Sequence, residues 1–274
     1  QDWLNSRYIL MWGWNPAEMR DGTNSDYFVK LARENGARVV CIDPRHSLSA
    51  AALADEWIPI RPGTDAAMMS AMAYVMLTEN LHDADFVRTH CVGFDASQMP
   101  VEGAESYSDY LLGVRDGIPK TPEWAEAITA VPAATIARIA REYATSKPAA
   151  LVQGYGMQRR AYGEQVVRAG CVLAAISGNV GISGGWASGL GLQAEDGGPH
   201  WTVFPLGENP VRASIPVFLW TEACLRAQAL TSAEGVLGVP RLQNNIKLIY
   251  AVATNCLINQ HADVNRSAEI LRDE

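Results

Sequence analysis

Three short segments place acidic or amide side chains directly after apolar runs, the position from which an open parallel sheet presents groups to a ligand. In WGWNPAEM, Trp12 to Met19, Gly13 permits close backbone approach and Asn15 offers both a donor and an acceptor. The same residues also read as a helical turn capped by Asn15 with Pro16 at its first position. In IDPRH, Ile42 to His46, Asp43 can accept hydrogen bonds from ribose hydroxyls, or can set an Asp-Pro turn with Pro44. In PGTD, Pro62 to Asp65, the two oxygens of Asp65 can accept the paired N–H groups of a guanine. Thr64 as a helix cap, with Asp65 offsetting the helix dipole, explains the same residues, and both readings can hold at once. Three successive strand ends carrying Asn15, Asp43 and Asp65 fit one nucleotide lying across neighbouring strands. The first turn lacks G-x-G-x-x-G, which argues against an ordinary NAD site.

The elements needed to position these groups are visible as a rhythm. YILMW, SDYFVKLARENG, RVVCID, SLSAAALA, EWIPI and TDAAMMSAMAYVMLTEN alternate short apolar runs with helical stretches, as parallel strands and crossover helices do. In the first crossover helix Phe28, Leu31 and Ala32 share a face, Ser25 or Asp26 can cap the start, and Gly36 suits a left-handed stop. The helix after Thr64 is apolar almost all round, which predicts deep burial. Residues 93–121 read as loops. TPEWAEAI and VPAATIARIAREYATS read as helices opening on proline, with Ile136, Ile139, Ala140 and Tyr143 as a stripe in the second. AALVQGYG and EQVVRAGCVLAAISG form a further strand, turn and helix. The expected fold is α/β, an open and mostly parallel sheet flanked by helices over residues 1–185. Residues 186–243 read as an irregular excursion with a short helix near Leu219 to Ala229. Residues 244–274 read as a strand, IKLIYAVAT, and a helix from about Asn265 to Arg272, the edge of an adjoining α/β domain.

Composition narrows the function. The 274 residues are 48% hydrophobic and 19% charged, enough for a substantial core, and the net charge of −8 argues against a phosphate-backbone binder. The cysteines Cys41, Cys91, Cys171, Cys224 and Cys256 form no CxxC or CxxxC pair, so they read as plain thiols rather than cluster or zinc ligands. There is no apolar run of about 18 residues and no secretory signal at the start. Opening without Met and ending at ILRDE, just past a helix, the chain reads as an internal piece of a longer protein.

WGWNPAEM, VVCIDPRHSLSAAALADEWIPIRPGTDAAMMSAM, QGYGMQRRAYGEQ, ISGNVGISGG and NCLINQHADVN, in this order and spacing, resemble the molybdopterin oxidoreductases of the dimethyl sulfoxide reductase family. CVGFD, KTPEWA, GNVGISGG, NQHADVNR and EILRDE are most similar to the catalytic subunits of its anaerobic dimethyl sulfoxide reductase group. The resemblance implies a bis(molybdopterin guanine dinucleotide) cofactor with molybdenum, held by Rossmann-like domains. It assigns Trp12, Gly13, Asn15, Pro16, Asp43, Pro44, Arg45, Gly63, Thr64 and Asp65 to one guanosine diphosphate arm. Gly154, Gln158 and Arg159 match the segment that approaches the pterin. Asn255 matches the start of the other nucleotide-binding domain, although Thr254 stands where the family usually has Gly. Gly178, Asn179, Gly181, Gly184 and Gly185 are expected to shape a loop around the cofactor. His200 and Trp201 are candidates to line a substrate funnel, while His261 and Asp263 read as structural. The family's molybdenum ligand and any iron-sulfur cysteines lie upstream, so no residue here is expected to be catalytic or to bind the metal. The implied parent reduces an S-oxide or N-oxide, takes electrons from an iron-sulfur subunit, is held by a membrane anchor subunit and works in the periplasm or at the outer face of the cytoplasmic membrane. Another substrate of the family (nitrate, formate, arsenate, selenate or polysulfide) or a non-catalytic nucleotide-binding module are the alternatives.

Overall fold

Four apolar runs become strands: β1 (Tyr8–Trp12), β2 (Arg38–Ile42), β3 (Glu56–Ile58) and β4 (Ala149–Gln153). In the computed structural model, which describes residues 2–19, 24–101, 103–185, 207–251, 257 and 263–272, they pair in parallel in the order β3-β2-β1-β4. Every residue of β1 and β4 is buried, as a parallel sheet covered on both faces requires. Side chains alternate across β1. Ile9 and Met11 join Val29 and Ala32 of helix α1 (Ser25–Glu34) and Leu53 of α2 (Leu48–Leu53) on one face. Tyr8, Leu10 and Trp12 face α3 (Asp65–Thr78), α7 (Ala133–Thr145) and α8 (Gly163–Ile176) on the other. The expected deep burial of α3 is seen: Met68, Met69, Met72 and Met76 are all inaccessible.

Some details depart from the sequence reading. Helix α1 follows Asn24 without a side-chain cap, and Ser25 is its first buried residue. Gly36 does take a left-handed φ of 98°. Residues 93–121 are not all loop. After α4 (Ala84–His90), Ser106 accepts the Asp109 amide at 3.2 Å, which starts α5 (Tyr107–Leu112), and left-handed Gly113 ends it. Leu111 is fully buried and anchors this helix; one buried leucine in a polar stretch leaves no visible period. Helix α6 (Pro122–Thr129) opens on proline as expected, capped by Thr121.

The amino edge of the sheet is tied together by charge. The Tyr8 hydroxyl donates to Glu142 at 3.0 Å, Arg38 donates to Glu142 at 3.2 Å and to Glu56 at 2.6 Å, and Arg138 links Glu56 to Glu142. Burial alone would push the Glu142 carboxyl up, but hydrogen bonds from Arg138 and Tyr8 and the two guanidinium charges outweigh it and hold it low. A carboxylate depressed in the folded state stabilises above its unfolded pKa and loses that contribution as pH falls through the folded value. Glu142→Gln should therefore destabilise by about 1–2 kcal/mol at neutral pH, after allowing for partial solvent screening. Melting curves at neutral pH and well below the ordinary value of 4.5 should show the gap to wild type closing in acid; an equal gap at both would contradict this.

The chain divides into two compact units, Gln1–Asp196, which contains the sheet, and Gly197–Glu274. The second has a small core of Ala223, Ala227, Leu230, Val236 and Leu242, with helices α9 (Trp220–Arg226) and α10 (Val264–Arg272). Asp263 accepts the Arg266 amide at 2.9 Å at the head of α10, a capping role consistent with its structural reading. Residues 246–251, expected as part of a strand, pair with no strand among the described residues, and Leu248 and Tyr250 are 83% and 85% exposed. The apolar run has strand propensity, but a strand exists only beside a neighbour.

Candidate functional site

The strand order makes the chain step from β1 to β2 to β3 on one side and return to the other side of β1 for β4. The carboxyl ends of β1 and β4 therefore flank the switch point where open sheets form a ligand crevice. Ladder hydrogen bonds continue one residue past the strands: Gly13 N–H to Ile42, Asp43 N–H to Ile58 and Gly154 N–H to Trp12, at 2.9, 3.2 and 2.9 Å. Gly13, Asp43 and Gly154 thus lie at the rim of the crevice. Gly13 has a left-handed φ of 55°. Gly154 is held so closely over it that an added Cβ would lie 2.1 Å from the Gly13 carbonyl oxygen.

Asp65 opens α3 at the same edge and is only 3% exposed. Its Oδ1 accepts the Trp12 indole N–H at 3.0 Å, whereas Oδ2 is buried without a hydrogen-bond partner among the described residues. The Arg160 guanidinium stands 3.6 Å from Oδ2, an ion pair beyond hydrogen-bond range. Thr64 occupies the cap position, but its hydroxyl donates to the Arg61 carbonyl at 2.6 Å instead of capping. Left-handed Gly63 completes the turn.

Asp43 is half-buried and its Oδ1 accepts the Arg45 amide at 2.8 Å, the turn-forming role read from Asp-Pro. Burial, which outweighs that hydrogen bond and the Arg45 charge, raises its pKa, with nearby Asp65 and Glu18 acting in the same direction. Donors from a ribose would relieve this cost. Arg45 is exposed and pairs with Glu18. Pro44 is exposed and Pro16 buried.

Two expected contacts play a different part. Trp12 is wholly buried, and its indole N–H is spent on Asp65. The Asn15 side chain is engaged at both ends, accepting the Ser49 hydroxyl at 2.6 Å and donating to Glu18 at 2.6 Å, while its carbonyl accepts the Met19 amide at 2.8 Å. Asn15 stands where a cap is expected and its carbonyl opens the turn, but Ser49, not the Asn15 side chain, supplies the side-chain acceptor, for the Ala17 amide.

The loop after β4 brings Gln158 and Arg159 to the same edge; Arg159 is exposed and stacks 5.3 Å over the Tyr155 ring. Nothing local in the sequence marks Arg160 or Ser49 for this edge, which both reach through partners distant along the chain. The Gly178–Gly185 loop, expected around the cofactor, instead lies at the opposite edge. Asn179 accepts the amide of Ala149, the first residue of β4, and Gly184 packs on Asn5 ahead of β1. Helix α8 carries the chain back from the crevice, as every crossover helix must. Asn255, His200, Trp201 and His261 lie outside the described residues. Among those described, no cluster of His, Cys, Asp and Glu suits a metal, and burial pushes the Cys41 thiol up to about 12.

Known proteins give this edge a context. The family described as Molybdopterin oxidoreductase matches residues 1–274. The dimethyl sulfoxide reductase DmsA of Haemophilus influenzae is 45% identical over 276 residues, 98% of this chain and 34% of that protein. A trimethylamine-N-oxide reductase of the same organism is 36% identical over 201 residues, 71% of this chain and 23% of that protein. The solved structure of acetylene hydratase from Pelobacter acetylenicus superposes with a TM-score of 0.54 at 26% identity, covering 66% of this chain and 22% of that one. The chain spans about a third of the length of the curated relatives it matches most fully.

Proposed function

This chain belongs to the molybdopterin oxidoreductase family, and from that premise we propose that it holds a guanosine diphosphate arm of bis(molybdopterin guanine dinucleotide) in an S-oxide or N-oxide reductase. The observation that carries this reading is the buried, unsatisfied Oδ2 of Asp65 beside a glycine crossing that no side chain could share. A buried acceptor without a partner is costly, and paired N–H donors of a guanine would satisfy it. Asp43 would accept from the ribose hydroxyls. Half-buried Gly13 would let the diphosphate approach the backbone, Gly154 would hold the β1 and β4 ends together beside it, and Gln158 and Arg159 would lie toward the pterin. Bound there, the cofactor would supply oxygen-atom transfer, with electrons from an external donor; the protein would supply orientation and charge. No residue of this chain is assigned to the metal.

The relatives named for dimethyl sulfoxide and trimethylamine N-oxide support an oxide substrate. The same reading extends to an iron-sulfur electron-transfer subunit, an anchor subunit and a periplasmic site of action for the whole protein. Full-length protein assayed with a reduced viologen donor should oxidise it on addition of dimethyl sulfoxide or trimethylamine N-oxide. Turnover with nitrate, selenate or polysulfide and none with either oxide would contradict the assignment.

A further inference from the structure

We infer that Arg160 is a displaceable cover on Asp65, and that its guanidinium must leave the carboxylate before a base carrying paired N–H donors can dock. The inference rests on the reading of Asp65 as a base acceptor. In this conformation Asp65 is 3% exposed and its Oδ2 is inaccessible, so a base cannot reach it unless a neighbour moves. Trp12, on Oδ1, is fully buried in the sheet core and hydrogen-bonded, so moving it would break packing on both sides. Arg160 is different. Its side chain is 28% exposed, and its 3.6 Å approach to Oδ2 is too long for a hydrogen bond. Among the described residues it is steadied by one hydrogen bond, from Nε to the Met157 carbonyl at 3.1 Å.

The guanidinium also lies over the turn that leads into α3. A Cβ on Gly63 would sit 2.5 Å from Arg160 Nη1, so the absent side chain at Gly63 is what lets the arginine settle there. In that place Arg160 supplies the positive charge that a buried carboxylate otherwise lacks. A guanine offers Oδ2 the hydrogen bonds that Arg160 does not, and the arginine side chain is already partly exposed. The affinity seen for a base is then the intrinsic affinity reduced by the fraction of molecules in which Asp65 is covered.

Full-length protein isolated without its cofactor, titrated with guanosine by calorimetry, tests this directly. Guanosine has no phosphate, so a second role of Arg160 toward a diphosphate cannot enter. Arg160→Gln and Arg160→Met should each bind guanosine roughly two- to fivefold more tightly than wild type, the size expected for removing a weak competing ion pair. Unchanged or weaker binding in both variants would overturn the proposal. Asp65→Asn that binds guanosine as wild type does would overturn instead the reading of Asp65 on which it rests.

Discussion

Gly154→Ala is expected to cost about 3 kcal/mol and to lower the melting temperature by about 6–12 °C, with loss of nucleotide retention. The added Cβ would lie 2.1 Å from the Gly13 carbonyl oxygen and 2.6 Å from the Trp14 Cα. Both are backbone atoms of the turn that leaves β1, and neither can rotate away. The β1 and β4 ends would have to part, and their separation sets the width of the crevice. Gly156→Ala is the matched comparison, because its Cβ meets the same oxygen only at 3.3 Å. Its effect should be a small fraction of that at Gly154. Equal melting temperatures for the two variants would show that the crossing is not tight.

How much of this site could be read from the sequence depended on distance along the chain. Asp43 could be placed because it directly follows β2, and Asp65 because it opens the helix after β3; parallel strands bring their carboxyl ends to one edge. The place of Asn15 at the head of a turn was legible, and the capping by Ser49 was not, since that partner lies across a crossover. Arg160 escaped for the same reason: its meaning comes from Asp65, and nothing local to QRRAY marks it out from a solvated arginine. Trp12 was assigned to the cofactor by the resemblance alone. The alternation of β1 instead turns it into the core, where its indole reaches Asp65. Which edge the Gly178–Gly185 loop reaches was not legible, because composition carries no direction. The 14 residues of α8 span about 21 Å, enough to return the chain to the amino edge. Helix α5 and the unpaired segment 246–251 fail in opposite ways. The first is a helix with too short an apolar stripe to show, and the second is a strand-like run with no strand among the described residues to pair with.

Asp65→Asn should reduce guanine affinity roughly 10- to 100-fold, through loss of a charge-assisted pair of acceptors and the gain of an opposed donor. The direction of the new amide is fixed by Trp12. An indole N–H can only donate, so the Asn carbonyl must take the place of Oδ1, which accepts it at 3.0 Å. The amide NH2 then falls where Oδ2 now lies, facing the donors of guanine. The same geometry favours a base with a carbonyl at that position, so xanthosine should bind the variant better than guanosine does. Because Asn matches Asp in shape and keeps the Trp12 contact, the fold should survive the change.

The claim that this sheet edge holds a guanine nucleotide is tested most directly by the nucleotide and molybdenum released when full-length protein is denatured in acid. Wild type should release guanine nucleotide together with molybdenum, and Asp65→Asn, at equal folded yield, should release far less of both. A wild-type protein free of guanine nucleotide, or an Asp65→Asn variant that retains it in full, would contradict the account.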